Sequence, residues 1–310
     1  MAVVITPIEN REQWKAVRRG VVGASEAGAL VGVHEWQTYF GLWAKKSGKI
    51  PDDAEDSPAM ERGREMESVA INVIRKRFPH LNLTVPHEHY ADREFGLGAT
   101  PDLLADDPER GGGVIQIKSV HPSIFRHTWL GDTDIVTPPL RIVIQALMEA
   151  ELTGSSWAAV AALVVDHGID LHMIDVPMHL GIVEKIKTEA LRFWEMVFSG
   201  REPDPDYARD GELIRAMFKR DDGSEIDLSG VNELPELLAQ REKATALAKQ
   251  YEEEAKTINA HLLHLLGDAA RGHFNGGYIS AKTVNRAPYE VKATSYRQLR
   301  VVRDREWRSA

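Results

Sequence analysis

The chain has 310 residues and no cysteine, which excludes a disulfide framework and a thiolate metal site. It has no apolar run long enough to span a bilayer. Its first residues, Met1 to Pro7, lack the charged start and long apolar core of a signal peptide. A cytoplasmic protein is the simplest expectation. A basic excess is also missing: the formal net charge is −9, which argues against a protein coated in nucleic acid. The charge is unevenly spread, however. Residues 271 to 310 carry nine Lys or Arg against three Asp or Glu, so a basic tail follows an acidic body. Such a body can still bind DNA through a local groove. No internal repeat or low-complexity tract is present. The balance of 43% hydrophobic and 27% charged residues is that of an ordinary globular chain.

Punctuation divides the chain into elements. A helix is expected over residues 9 to 19, with Trp14 and Val17 as apolar contacts. Ser25 reads as the cap of a short helix, Glu26 to Val31. A second helix runs from Thr38 to Ser47, and Pro51 to Asp56 is a loop. Ser57-Pro58 starts a long helix, with Ser as cap and Pro at its first position, and Pro79 closes it after Phe78. Met66, Val69, Ala70, Val73, Ile74 and Phe78 recur on one face of it. Helices follow from Ser123 to Leu130, Leu140 to Leu152 and Leu180 to Phe198. Ala158 to Val165 and Ile169 to Val176 form a hairpin around Asp166-His167-Gly168. Arg201 to Asp206 breaks the pattern and marks a domain edge. A polar, acidic and irregular stretch follows. From Leu237 to Leu265 a heptad seam with small residues in its middle predicts one long helix, able to pack on its own domain or on a partner chain. Gly276 to Val284 and Tyr296 to Val302 read as strands.

One stretch carries chemistry. Leu97 to Ala105 enters an acidic, Gly-rich turn and Val114 to Val120 leaves it, which predicts a β-hairpin. Side chains alternate along a strand, so Gln116 and Lys118 share one face and Ile115 and Ile117 the other. A Lys on such a strand either reaches solvent, as in many hairpins, or is buried and needs a partner. Asp102, just after Pro101, is the expected partner. Phosphodiester hydrolysis needs carboxylates to hold Mg2+, a group to position the attacking water, and positive charge to offset the phosphate.

Thr100-Pro101-Asp102 followed by Gln116-Ile117-Lys118 resembles the motif of the PD-(D/E)xK nuclease superfamily. The order of further matches narrows the resemblance. Arg18-Arg19-Gly20 leads to Ala24-Ser25, then Gly63-Arg64-Glu65-Met66-Glu67, then Gly98 to Asp102, then the Gln-X-Lys strand. Trp129, Pro139, Gln145 and Thr153-Gly154 follow, and Phe193-Trp194, Gly200 and Pro203 fit the domain's end. Over residues 10 to 207 the chain resembles phage lambda exonuclease-like proteins, the YqaJ-type viral recombinases. The resemblance implies an α/β fold: a restriction-endonuclease-like core, with a central mixed β-sheet flanked by helices. Residues 1–207 would form the nuclease domain, 208–233 an irregular acidic linker, and 234–310 a long helix plus a basic β-hairpin extension.

The resemblance also implies roles. Asp102 would be the main metal carboxylate, with Gln116, the Ile117 carbonyl and Glu67 completing the site. Lys118 would orient or activate the water. Arg18 and Ser25 would contact a phosphate, and Thr100, Arg126 and Gln145 would touch DNA or support the site. Mg2+ is the implied cofactor, with Mn2+ as substitute. The implied partners are duplex DNA ends, a single-strand annealing protein and further copies of the chain in a toroidal trimer. The implied setting is the cytoplasm of a bacterial host, with a phage or prophage origin.

One position departs from the pattern: the family usually has Glu where this chain has Gln116. An amide oxygen still coordinates cations, but without charge, so Mg2+ should be held more weakly. Three readings follow. The first is a Mg2+-dependent exonuclease that works 5′ to 3′ on duplex ends in phage-type recombination. The second is a degenerate fold that binds DNA ends without cutting, and the third is an endonuclease with no preference for ends.

Overall fold

The computed structural model describes residues 3–51, 57–130, 135–287 and 296–301. The chain opens with β1 (Val3–Pro7), α1 (Arg11–Arg19) and the short β2 (Val22–Gly23). Asn10 caps α1 by accepting from the Gln13 amide. Next come α2 (Ala27–Leu30), α3 (Tyr39–Lys46) and α4 (Pro58–Arg77). Ser57 caps α4 as the sequence predicts, with Pro58 in its first turn, and Thr38, expected as the first residue of a helix, caps α3. Strands β3 (Asn82–Thr84), β4 (Glu88–Asp92), β5 (Leu97–Ala99), β6 (Leu103–Asp107) and β7 (Gly111–Val120) follow. A single turn, α5 (Pro122–Ile124), runs into a π-helical segment at Phe125–Leu130. Then come α6 (Leu140–Thr153), β8 (Trp157–Val165), β9 (Ile169–Val176), α7 (Leu180–Ser199) and α8 (Gly211–Met217). Last are α9 (Leu234–Leu266), β10 (Arg271–Phe274) and β11 (Gly277–Ser280).

Two mixed sheets build the first compact unit, which ends at Met217. One has the order β1-β4-β5-β2 and the other β3-β6-β7-β8-β9. Strand β7 is the centre of the larger sheet. It pairs antiparallel with β6, Leu103 opposite Ile115, and parallel with β8, Gln116 opposite Val160. The period-2 pattern of β7 separates two cores. Ile115 and Ile117 join Ala70, Ile71 and Ile74 of α4 on one side. Val114 and Val120 join Ile142, Ala146, Leu147 and Ala150 of α6 on the other. Gln116 has the parity of Val114 and so faces α6. A third core joins α3, α7 and part of α6 to the smaller sheet.

Several expectations change. The run Leu97 to Ala105 is not one strand. It is split between the two sheets, β5 in one and β6 in the other, with Thr100-Pro101-Asp102 at the crossing. Pro101 has no N–H for a ladder, which suits the break. Ser25 does not cap α2. The cap position is Glu26, and Ser25 instead accepts a hydrogen bond from Arg18. The helix expected over Ser123 to Leu130 is a short α turn followed by π-helix. The stretch 208–233 is not wholly irregular, because it contains α8. Leu213, Ile214 and Met217 of that helix pack on the core of the first unit. The Pro51 to Asp56 loop lies mostly outside the described residues.

The second unit spans Phe218 to Ala310. The long helix is present as α9, with no residue buried. Its β-hairpin pairs β10 with β11, His273 opposite Tyr278, so Gly277 to Ser280 is a strand as expected. Tyr296 to Val301 contains no strand, and residues 288–295 and 302–310 of the basic tail lie outside the described residues.

Candidate functional site

The crossing between the two sheets sets Asp102 at the start of the β6–β7 hairpin. Its Oδ2 accepts from the backbone N–H of Ile117 at 2.8 Å and from the Gln116 side-chain amide. Gln116, only 1% exposed, turns its amide nitrogen toward Asp102 and toward the Ile117 carbonyl at 3.2 Å. Its oxygen faces α6, where it accepts from Gln145 Nε2 at 2.7 Å. The same nitrogen donates to Glu149 Oε1 at 2.9 Å. An unbroken network therefore joins Asp102, Gln116, Gln145 and Glu149.

Three acids surround one lysine. Burial pushes the Asp102 carboxyl up, while the Lys118 charge and the Ile117 N–H pull it down, with burial prevailing. Glu67, on α4, is raised to about 6 by burial and by the charge of Asp102, against the pull of Lys118. Glu149 is raised well above the usual carboxylate range by burial and by Asp102, with Gln145 and Lys118 acting against this. Lys118 thus bears on all three through space. The hydrogen bonds of Asp102 go to Gln116 and Ile117, whereas the sequence predicts a direct pairing with Lys118. Among the described residues, no three His, Asp or Glu side chains already stand together as a metal cluster.

The same cleft, of about 760 Å³, is lined at its other end by Arg18 and Ser25. Arg18 lies over the Trp14 ring at 4.3 Å and donates to Ser25 Oγ at 3.4 Å. A buried pair holds it in place. Glu26 accepts from the Gly23 N–H at 2.9 Å and pairs with Lys46 Nζ at 2.9 Å. Lys46 also donates to the Arg18 carbonyl. Burial pushes Glu26 up, but Lys46, Arg18 and the Gly23 amide outweigh it and keep the carboxylate ionised. Between the two ends sits His89, held down to about 4 by burial and the Arg18 charge, and hence neutral. Its Nδ1 meets Thr100 Oγ1 at 3.2 Å.

Of the residues predicted from sequence, Arg18, Ser25, Glu67, Thr100, Asp102, Gln116, Ile117, Lys118 and Gln145 all line this one cleft. Arg126 does not: it is exposed on the π-helical segment and is not among the lining residues. Sequence reasoning missed Glu149, His89, Trp36 and Arg141, which line it too. Trp36 is 77% exposed, with the Arg141 guanidinium 4.2 Å from its ring centre. The signal for Glu149 was its place one turn after Gln145, between the apolar Met148 and Ala150.

The described residues form a mixed α/β, restriction-endonuclease-like core, with the Gln-X-Lys strand at its centre and an acid on each flanking helix. Residues 13–156 match the model of the YqaJ-like viral recombinase domain. The chain is 22% identical over 278 residues to the uncharacterized protein YqaJ of Bacillus subtilis (strain 168), covering 87% of this chain and 82% of that protein. A match of that extent runs past Met217 into the second unit. In fold, the chain is similar to the crystal structure of an alkaline exonuclease (LHK-Exo) from Laribacter hongkongensis. The TM-score is 0.50 at 20% identity, over 66% of this chain and 99% of that one.

Proposed function

We propose that this chain is a Mg2+-dependent DNA exonuclease that hydrolyses phosphodiester bonds from the 5′ ends of duplex DNA, in phage-type recombination. The observation that carries the reading is a single cleft with an oxygen-rich, lysine-containing site at one end and an Arg–Ser pair at the other. A carboxylate, a backbone carbonyl and further acids suit a hard cation, which binds through few carboxylates and keeps several waters. The donors therefore fit Mg2+, with Mn2+ as substitute: Asp102 and the Ile117 carbonyl, with Glu67 at the rim and Gln116 after its amide turns over. The cation would supply Lewis acidity and a more acidic water.

The residues divide the remaining work. Arg18, held on Trp14 and steadied by Glu26 and Lys46, binds the 5′-terminal phosphate with Ser25. Lys118 orients the attacking water and offsets charge that grows on the phosphoryl oxygens. The water oxygen joins phosphorus, the P–O3′ bond breaks, and a proton passes to the leaving 3′ oxygen. Thr100 and Gln145 keep the strand crossing and the Gln116 amide in place. Assembly into a trimer around the duplex, delivery of the exposed strand to an annealing protein, and action in the host cytoplasm complete the proposal.

A second reading rests on Gln116, whose amide nitrogen faces Asp102: the protein would hold DNA ends without cutting them. End-labelled linear duplex and closed circular duplex, incubated with Mg2+ or Mn2+, separate the cases. The exonuclease degrades the linear substrate and spares the circle. Cleavage of the circle points to an endonuclease. No cleavage of either, with activity gained in Gln116→Glu, points to the binding reading.

A further inference from the structure

We infer that Glu149 supplies the second buried carboxylate of the cation site, doing from α6 what the neutral Gln116 does not do from β7. The inference rests on the nuclease reading above. Glu149 is 1% exposed and sits between Met148 and Ala150, both fully buried. A carboxylate there does nothing for solubility. Its Oε1 accepts from Gln145, and through Gln145 it is joined to Gln116 and Asp102. Its Oε2 is buried and has no hydrogen-bond partner among the described residues. A carboxylate oxygen shut away from water without a donor is costly. Proton or cation binding relieves that cost. Glu149 lines the same cleft as Asp102, Ile117 and Lys118, so a cation held by Asp102 is the available partner.

A purely structural Glu149 would need only the oxygen that anchors Gln145. Glutamine at 149 keeps that oxygen and removes the charge. Glu149→Gln therefore separates the two roles while leaving the Gln145 hydrogen bond in place. Because no three acids or histidines among the described residues already stand together as a cluster, the inference requires side chains to rotate when the cation binds.

The test is Mn2+ binding by the full chain without DNA, read from the electron paramagnetic resonance signal of free Mn2+. Circular dichroism checks that each variant is folded. The expected result is that Glu149→Gln weakens binding by at least about tenfold. The double variant Gln116→Glu, Glu149→Gln, which returns the charge on β7, should recover to within about threefold of the parent. Wild-type affinity in Glu149→Gln, alongside lost binding in Asp102→Asn, overturns the role of Glu149 and leaves the nuclease reading standing. Loss in Glu149→Gln without recovery in the double variant also overturns it. Undiminished binding in Asp102→Asn removes the cleft as a cation site, and both readings fall together.

Discussion

Asp102, Glu67 and Glu149 crowd one lysine, and that crowding has a consequence in metal-free protein. The Glu67 carboxyl is raised to about 6 from an ordinary value near 4.5. The unfolded chain therefore loses this proton at lower pH than the folded chain. The stability that the protonated form contributes is complete below about 4.5 and is lost as pH rises through about 6. Since Glu67 is only half-buried, solvent screening limits the effect to about 1 kcal/mol. Thermal unfolding of wild type and Glu67→Gln, without metal, across pH 4 to 7 should show the wild type losing ground as pH rises. Parallel curves would contradict this. At the Arg18 end the pair to test is Glu26–Lys46, because Lys46→Met leaves a buried carboxylate with only Arg18 and a backbone amide beside it. A loss of about 3 kcal/mol in denaturant unfolding is expected. Asp102, Gln116 and Lys118 were legible in the sequence because strand periodicity is simple and a charge within it stands out. Glu149 was not, because an acid on a helix usually reads as a solvated one. That Arg126 lies outside the cleft was not legible, because its position in sequence says nothing of which way a π-helical turn faces.

Elements set these residues, and here the sequence was legible in kind more than in boundary. The Ser57 cap is local chemistry and falls where expected, and the left-handed Gly154 and Gly200 end α6 and α7 within two residues of the expected bounds. The split of Leu97 to Ala105 between two sheets is tertiary: Pro101 marks a break in the run but not that its halves join different sheets. Gly98 shows why the crossing is tight. A Cβ there would stand 2.7 Å from both His89 Nε2 and Val21. Gly98→Ala should cost about 1–3 kcal/mol, read by thermal unfolding, and should slow cleavage by shifting Thr100 and Asp102. An unchanged melting temperature would mean that β4 and β5 are not packed as described. On the other side, Ile74 of α4 is fully buried against the larger sheet. Ile74→Ala should cost about 2–5 kcal/mol.

At the scale of the whole molecule, an acidic chain with a basic tail poses the question of how DNA is held. The first unit places Arg18 and Ser25 in a cleft, so net charge is a poor guide to where an anion could bind. The end of that unit was not legible. The Arg201 to Asp206 breaker looks like an edge, but α8 beyond it carries Leu213, Ile214 and Met217 back onto the core. Thr38, the cap of α3, also bonds Asp210 at 2.5 Å. The long helix was legible from its heptad seam, whereas the strand partner of Gly277–Ser280 was not, because Arg271 to Phe274 has no alternating pattern. The central claim is that Asp102 anchors a cation-dependent nuclease site. The most direct measurement is the rate of mononucleotide release from linear duplex with 5′ phosphates, in Mg2+, by wild type and Asp102→Ala. Steady release by wild type is expected, with loss of at least about a thousandfold in the variant, some 4 kcal/mol of transition-state stabilisation. Release that persists in Asp102→Ala at the wild-type rate would contradict the account.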